Sequence, residues 1–339
     1  MARIKIGETR VAKTWQQIIV DQIKAGRALP VLSNSISNDL LLGNHRQLIL
    51  DFAKYANYPL ADKDNLAHLT QFMSIMEAEA KGVMSSLVVK QDYLNFIKSR
   101  LYHLAETNGV AKDLLTEVDA EFDNMDFSEL AKRLGYPRFA DAPEDPLLIL
   151  AGLDLPIYLT TGYHQMMETA LHRAGKQPRA GICRWNKQLE KDIPDIFAGG
   201  YEPSAEEPLV YHLHGLDHYP GSLVLTEDDH LEFLVAISQE MGRPADRIPA
   251  RVREALTKSS LLLLGYDLQS WEFRTLFWGL LKPREIRQQG ISVLHLQLEP
   301  TEAEQRYLQT YMGKADLEVF RGSIHEYTCE LFRALFASP

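Results

Sequence analysis

The feature that most restricts the fold is a series of short apolar runs, each followed by a segment with helical spacing. The clearest run, 260–265, consists of a serine, four leucines and a glycine. A continuous apolar run of this length is typical of a strand that is covered on both faces of a parallel sheet. Similar runs occupy residues 28–32, 156–161, 210–215 and 291–298, and shorter strands are predicted at 221–226 and 317–320. Strands that alternate with helices of ten or more residues predict an α/β fold with a doubly wound, mostly parallel Rossmann-like sheet.

The segment from Tyr58 to Asp141 departs from this alternation, because its pattern is that of one helix after another. Apolar residues recur there at helical spacing, as at Leu66, Leu69, Phe72, Met73 and Met76. We therefore expect a single domain over residues 1–339 that carries a helical insertion or cap at 58–145. Elsewhere, loops are predicted at 33–39 and over most of 176–208, and helices at 227–241, 249–258, 271–281, 301–312 and 325–336.

Composition excludes several classes of protein. The formal net charge of −10 argues against a protein whose main ligand is the nucleic-acid backbone. The only cysteines, Cys183 and Cys329, are far apart in sequence, so neither a disulfide framework nor a cysteine-based zinc site is expected. The N-terminus has no apolar signal region, and no apolar run is long enough to cross a bilayer. These observations predict a globular cytoplasmic protein with no membrane or direct nucleic-acid partner.

Candidate functional residues lie where the predicted strands end. The first strand is followed by the small polar residues of 33–39, and other strands end at Gly162, His214 and Gly265. Ligands of open α/β sheets bind outside the carboxyl ends of the strands, so these residues are expected to line one crevice. A histidine there can act as a general base near neutral pH, although a core histidine at a strand end is the alternative interpretation of His214.

Five motifs, taken in their order and spacing, resemble the sirtuin-like family and, within it, the NAD-cleaving branch found in bacterial defence proteins. They are Leu159-Thr-Thr-Gly-Tyr163, His212-Leu-His-Gly215, Leu223-Val-Leu-Thr-Glu227, Leu262-Leu-Leu-Gly-Tyr266 with Trp271-Glu-Phe-Arg274, and Val319-Phe-Arg-Gly-Ser323. The resemblance covers most of the chain. It implies that NAD, as substrate or ligand, lies across the crevice, with a phosphate loop beneath it and a histidine and an asparagine that position water against the ribose.

This resemblance assigns roles to specific positions. The implied catalytic positions are His214, Gly162 and His164, and the implied nucleotide-binding positions are Ser33, Asn34, Ser35, Ser37, Thr161, Gly215, Gly265, Tyr266 and Ser270. No metal site is expected, because the neighbouring His212, His214, His218 and Asp217 need not converge on one point.

Several of these positions depart from the family pattern. Ser33, Asn34 and Ser35 stand where the family has Gly-Ala-Gly, and their hydroxyls either replace backbone contacts to phosphate or form a polar turn and helix cap. Gly162 stands where the family has its asparagine. Nearby His164 could supply a polar group only if it points inward, the alternative being a solvated histidine at a helix start.

Two further departures concern residues after the last glycine motifs. Ser270 replaces an acidic residue and is expected to serve as a helix N-cap. His230, at the position of a family tyrosine, is expected to be exposed on a helix.

Two functions remain open on the sequence alone. The first is an NAD hydrolase that releases nicotinamide and ADP-ribose as an anti-phage defence effector, with His214 as base or orienting group. The second is a catalytically silent nucleotide-binding or scaffold module for NAD or an ADP-ribose-type nucleotide. Such a module would act through homo-oligomerisation or a partner defence protein.

Overall fold

The computed structural model describes residues 15–82, 86–139, 145–239, 246–267, 270–281, 294–298, 303, 306 and 317–336. Its strands are β1 (Ala28–Leu32), β2 (Ile157–Thr160), β3 (Arg179–Ile182), β4 (Leu209–His212), β5 (Ser260–Leu264), β6 (Leu294–Leu298) and β7 (Leu317–Arg321). Over the described residues they form one seven-stranded sheet in the order β3-β4-β2-β1-β5-β6-β7. Every neighbouring pair is parallel, which confirms the predicted α/β Rossmann-like fold.

Helices cover both faces of this sheet. They are α1 (Trp15–Lys24), α2 (Asn34–Leu42), α3 (His45–Tyr55), α4 (Leu66–Lys81), α5 (Ser86–Thr107), α6 (Lys112–Glu121), α7 (Phe127–Arg133), α8 (Pro146–Ala151), α9 (Met166–Arg173), α10 (Lys187–Asp192), α11 (Glu227–Gln239), α12 (Ala250–Lys258), α13 (Trp271–Leu276) and α14 (Ile324–Phe336). A π turn, Phe277–Leu281, continues α13. Among the described residues, no helix combines the length and the apolar character needed to span a bilayer.

The side chains of β5 explain why the sheet needs helices on both sides. Leu262 and Leu264 belong to the core shared with the helices of the insertion, whereas Leu261 and Leu263 belong to the core that contains Phe233 of α11. All four leucines are at most 2% exposed. Because successive side chains of a strand point to opposite faces, a continuous leucine run satisfies two cores at once.

Helices α4 and α5, within the predicted insertion, are tied to the first turn of α11 and to the loop that precedes it. The Lys90 ammonium lies 2.7 Å from the Asp229 carboxylate, and both side chains are buried. The Thr70 hydroxyl donates to the Leu225 carbonyl at 3.1 Å, and Gln71 donates to the Asp228 carboxylate at 2.8 Å. These contacts fix the insertion beside the carboxyl ends of the central strands.

The structure corrects three sequence-based expectations. The predicted strand at 221–226 is wrong: a 3-10 turn, Pro220–Ser222, is followed by irregular chain that donates one hydrogen bond from Val224 to the His214 carbonyl. The predicted loop at 33–39 is mostly the first turns of α2. The stretch 176–208 contains β3 and α10, which were not predicted. Most of the predicted helix at 301–312, and residues 291–293 of a predicted strand, lie outside the described residues.

Candidate functional site

The carboxyl ends of β1, β2, β4 and β5 bring the predicted site residues to one edge of the sheet. Ladder hydrogen bonds continue one residue past the strands: Ser33 donates to Leu264 at 3.0 Å, and Thr161 donates to Leu32 at 2.9 Å. In the same way, Leu213 donates to the carbonyl of Thr160 at 2.8 Å. The residues just beyond these bonds therefore lie beside one another, although they are distant in sequence.

A cleft of about 890 Å³ opens at this edge. This volume is within the range of about 300–1,000 Å³ that is usual for small-molecule sites. Its wall includes Asn34, Ser35, Arg46, Ser270, Trp271 and Arg274. Three predicted binding residues are thus on the wall, whereas Gly162, His164 and His214 are not among the described residues that line it.

The hydroxyls of Ser33 and Ser35 are engaged within the protein. Ser33 caps α2 by accepting a hydrogen bond from the Ile36 amide at 3.2 Å. Both hydroxyls lie within hydrogen-bonding distance of the Gly265 carbonyl, at 2.7 Å for Ser33 and 2.5 Å for Ser35. Gly265 has φ +74°, and a Cβ there would lie 2.1 Å from the Ile36 side chain. Ser33 is therefore a helix cap, and both hydroxyls bind the backbone just after β5. That these hydroxyls contact a phosphate stays a prediction.

A carboxylate occupies the N-terminus of α2. The Asn34 amide donates to Glu272 Oε1 at 2.8 Å, and the Thr161 hydroxyl donates to the same carboxylate. Helix N-termini attract anions because their first amides lack partners and the helix dipole is positive there. Burial raises the pKa of Glu272 above its usual value, against the lowering contributed by the hydrogen bonds from Thr161 and Asn34. An internal anion therefore takes the place where a dinucleotide phosphate is expected.

Gly162 has no side chain, but it is held in a defined position. Its amide donates to the Thr160 hydroxyl at 2.9 Å, and its carbonyl accepts from His212 Nδ1 at 3.0 Å. Its φ lies outside the left-handed region, and a Cβ would lie 3.1 Å from the Thr160 hydroxyl and 3.2 Å from that of Ser37. A Cβ at this position therefore needs its neighbours to shift by only a few tenths of an ångström.

His214 is a buried neutral histidine behind the wall of the cleft. It is 1% exposed, and its ring packs on His230 and Phe233 with centroid separations of 5.3 and 5.0 Å. Burial, aided by the nearby His230, lowers its pKa well below the usual value. Its Nε2 has no hydrogen-bond partner among the described residues. The imidazole is thus uncharged at neutral pH and retains an unused polar atom.

His230 is buried, so the expectation of an exposed helical histidine is wrong. It is 5% exposed, lines the cleft, and stacks on Trp271 with centroids 6.2 Å apart. Burial lowers its pKa to about 4, and its Nδ1 finds no partner in the described part of the chain. Sequence reasoning missed the burial of this residue because the side chains that cover it come from segments distant in sequence.

The second half of the chain also matches a known family. Residues 156–314 match the model of the SIR2-like domain. This match covers just under half of the 339 residues and begins after β1 and α2, so the Ser33 loop lies outside it. None of the curated proteins matches the chain. SIR2-like domains are generally NAD-related, which agrees with the sirtuin-like resemblance and indicates an NAD-related function.

Other predicted residues within the matched region have structural contacts. His164 is buried with its ring 5.3 Å from that of Phe127, so it faces the insertion and is not a solvated histidine. Burial lowers its pKa to about 3. Ser270 caps α13 as expected, accepting from the Phe273 amide at 3.1 Å. The Tyr266 hydroxyl lies 3.4 Å from that of Thr161, beside the Glu272 contact.

The described histidines of the matched region do not converge on a metal position. His212 contacts the Glu168 carboxylate at 2.7 Å, and His218 contacts Asp126 at 3.0 Å. Burial lowers the pKa of His212, but Glu168 and the Gly162 carbonyl raise it by more, so the resulting pKa lies above its usual value. No group of three or more metal-ligating side chains occurs among the described residues.

Asp217 connects the region matched by the family model to α7, which lies in the predicted insertion. Its buried carboxylate accepts hydrogen bonds from the Ser128 amide at 2.6 Å and the Ser128 hydroxyl at 2.7 Å. Burial, together with the charge of Asp126, raises the pKa of Asp217 to about 7 against the lowering by these hydrogen bonds. The carboxyl therefore binds its proton more tightly in the folded protein than in the unfolded chain.

This shift predicts a pH-dependent stability. Because the folded-state pKa is the higher one, the contribution of Asp217 to stability should fall as pH rises from about 4 to about 7 and then level off. Relative to Asp217→Asn, the wild type is expected to lose roughly 2–4 kcal/mol over that window. Urea unfolding at several pH values measures this difference. Asp126→Asn should reduce the loss, and parallel curves for wild type and Asp217→Asn would contradict the assignment.

Proposed function

We propose that the chain is a SIR2-like nucleotide-binding module that binds NAD or an ADP-ribose-type nucleotide without ordinary NAD turnover. The observation that carries this proposal is the absence of a side chain at Gly162, where the resemblance implies the asparagine that orients water and ribose. His214 is retained, but its imidazole is buried behind His230 and is not among the described residues of the cleft wall. A bound nucleotide would then lack a positioned water.

The cleft itself supports nucleotide binding. Arg46 and Arg274 line it and are exposed; Arg274 supplies positive charge for phosphate, whereas Arg46 already pairs with the Asp64 carboxylate at 2.9 Å. Trp271 presents an aromatic surface beside His230, which suits a nucleobase or a nicotinamide ring. Both kinds of group are needed for a ligand that combines an aromatic ring with a pyrophosphate.

The test combines binding with turnover on the same samples. Wild type is expected to bind NAD and ADP-ribose in calorimetry and to release no nicotinamide above background. Gly162→Asn, whose Cβ requires small shifts of the Thr160 and Ser37 hydroxyls, should raise nicotinamide release at least about 100-fold, since a positioned group for proton transfer and water is worth that much. His214→Ala in the Gly162→Asn background should abolish the gain.

Two results would contradict the proposal. Failure of wild type to bind either nucleotide would remove the nucleotide-binding function. Wild-type turnover that disappears in His214→Ala would establish an NAD hydrolase instead.

That hydrolase is the second candidate function. The observation that favours it is the unpartnered Nε2 of His214, which offers a nitrogen for a hydrogen bond with water, although burial weakens the imidazole as a base. In this mechanism a water would bond to the ribose carbon and give a proton to His214 while the bond to nicotinamide breaks. The products would be nicotinamide and ADP-ribose.

For the cellular role, we infer participation in bacterial anti-phage defence in the cytoplasm, through self-association or a partner protein. The resemblance to the defence-associated branch supports this role. Apolar side chains exposed on neighbouring elements, Leu231 and Val235 of α11 and Trp278 of the π turn, supply a surface suited to association. Light scattering of the purified protein, with Leu231→Glu as the comparison, tests self-association.

A further inference from the structure

The N-terminus of α2 contains a complete but internally filled anion site. Glu272 Oε1 accepts from the Asn34 amide at 2.8 Å and from the Thr161 hydroxyl. The Asn34 amide also lies 3.2 Å from the Thr161 hydroxyl, so three polar groups from α2, the end of β2 and α13 meet at one point. A phosphate oxygen would make the same two contacts, because both it and a carboxylate oxygen are charged acceptors.

A second feature indicates that this cleft receives a ligand. The Nδ1 atom of His230 is buried and has no hydrogen-bond partner in the described part of the chain, although His230 lines the same cleft as Asn34 and Glu272. A buried polar atom without a partner is costly, and such atoms are usually satisfied by water or a ligand. The histidine end of the cleft therefore offers an unused polar contact, and at the α2 end the buried Asn34 Oδ1 also has no partner among the described residues.

We propose that Glu272 is the residue that determines ligand selectivity in this cleft, because its carboxylate competes with a ligand phosphate for the Asn34 amide and the Thr161 hydroxyl. This inference rests on the proposed nucleotide-binding function. A nucleotide can place phosphate at α2 only by displacing the carboxylate of Glu272, a half-buried residue on the cleft wall. Wild type should therefore discriminate against phosphate at this position and recognise a nucleotide mainly through its aromatic ring and sugar.

Calorimetry with Glu272→Gln and Glu272→Ala tests the competition, using ADP-ribose and adenosine as probes. Glu272→Ala should bind ADP-ribose at least about 10-fold more tightly than wild type, because like-charge repulsion is removed and both donors are released. Glu272→Gln keeps an acceptor for the Asn34 amide and loses the charge, so its gain should be smaller. Adenosine, which has no phosphate, should bind all three proteins equally.

The matched control is Glu227→Gln, which removes a nearby carboxylate charge while keeping an acceptor for the Trp271 indole, 3.1 Å away. It should leave both affinities unchanged. If wild type binds ADP-ribose and neither Glu272 variant binds it more tightly, the competition is disproved while the nucleotide-binding function stands. If no protein binds either probe, both proposals fail. Should Glu272→Ala not fold, as judged by circular dichroism, Glu272→Gln alone decides between these outcomes.

Discussion

Replacing Lys90 by methionine is expected to lower the free energy of unfolding by about 3–5 kcal/mol, since it leaves a buried carboxylate without its counter-charge. Lys90 and Asp229 are 2.7 Å apart, with side chains 3% and 7% exposed. Asp229 also accepts from the Leu225 and Thr226 amides, at 3.1 and 2.9 Å, so it cannot turn toward solvent without breaking two further bonds. Chemical denaturation followed by circular dichroism measures the loss.

The control for this prediction is a double-mutant cycle. Asp229→Asn keeps an acceptor for the two amides and removes the charge, so Lys90→Met combined with Asp229→Asn should recover more than half of the stability lost in Lys90→Met. A loss below about 1 kcal/mol in Lys90→Met, or no recovery in the double variant, would show that the pair is not an essential buried ion pair. The pair also has a functional consequence, because it fixes the start of α11 and with it His230.

The interior strands could be located from the sequence because a strand that is buried on both faces is a continuous apolar run. In β5, for example, four consecutive leucines follow Ser260, and no polar residue alternates with them. β3 was missed for the opposite reason: it is an edge strand that begins at exposed Arg179 and includes only one fully buried residue, Gly181. The false strand at 221–226 shows a further limit, since Leu223 and Val224 are buried without entering the sheet. Apolar character reports burial, not strand pairing.

The candidate site could be predicted in position but not in its contacts. Strand ends identified the edge that carries Gly162, His214 and Gly265, because parallel strands place their carboxyl ends together. The contact between Thr161 and Glu272 joins residues 111 positions apart, and an acidic residue in the first turn of α13 is equally expected to serve its own helix. The burial of His230 depends on the packing of neighbouring segments, so it could not be predicted from the sequence of α11.

Gly215→Ala is expected to destabilise the protein by at least about 3 kcal/mol. The residue has φ +89°, which costs an L-residue roughly 1–2 kcal/mol. In addition, its Cβ would lie 2.3 Å from the Ser222 carbonyl oxygen, a backbone atom that cannot rotate away. Displacing Ser222 would strain the hydrogen bond that Trp185 donates to its carbonyl at 2.9 Å. Strain and backbone displacement therefore act together at the residue that follows His214.

Gly221→Ala is the matched control, because this glycine lies in the same loop, has no positive φ, and leaves open space around a Cβ. Its free energy of unfolding should stay close to that of wild type, and thermal and urea unfolding of both variants measure the difference. Equal stability of Gly215→Ala and Gly221→Ala would contradict the close approach of Ser222. If Gly215→Ala folds but loses nucleotide affinity while Gly221→Ala keeps it, the turn after β4 also maintains the cleft, since Val224 donates to the His214 carbonyl from the same loop.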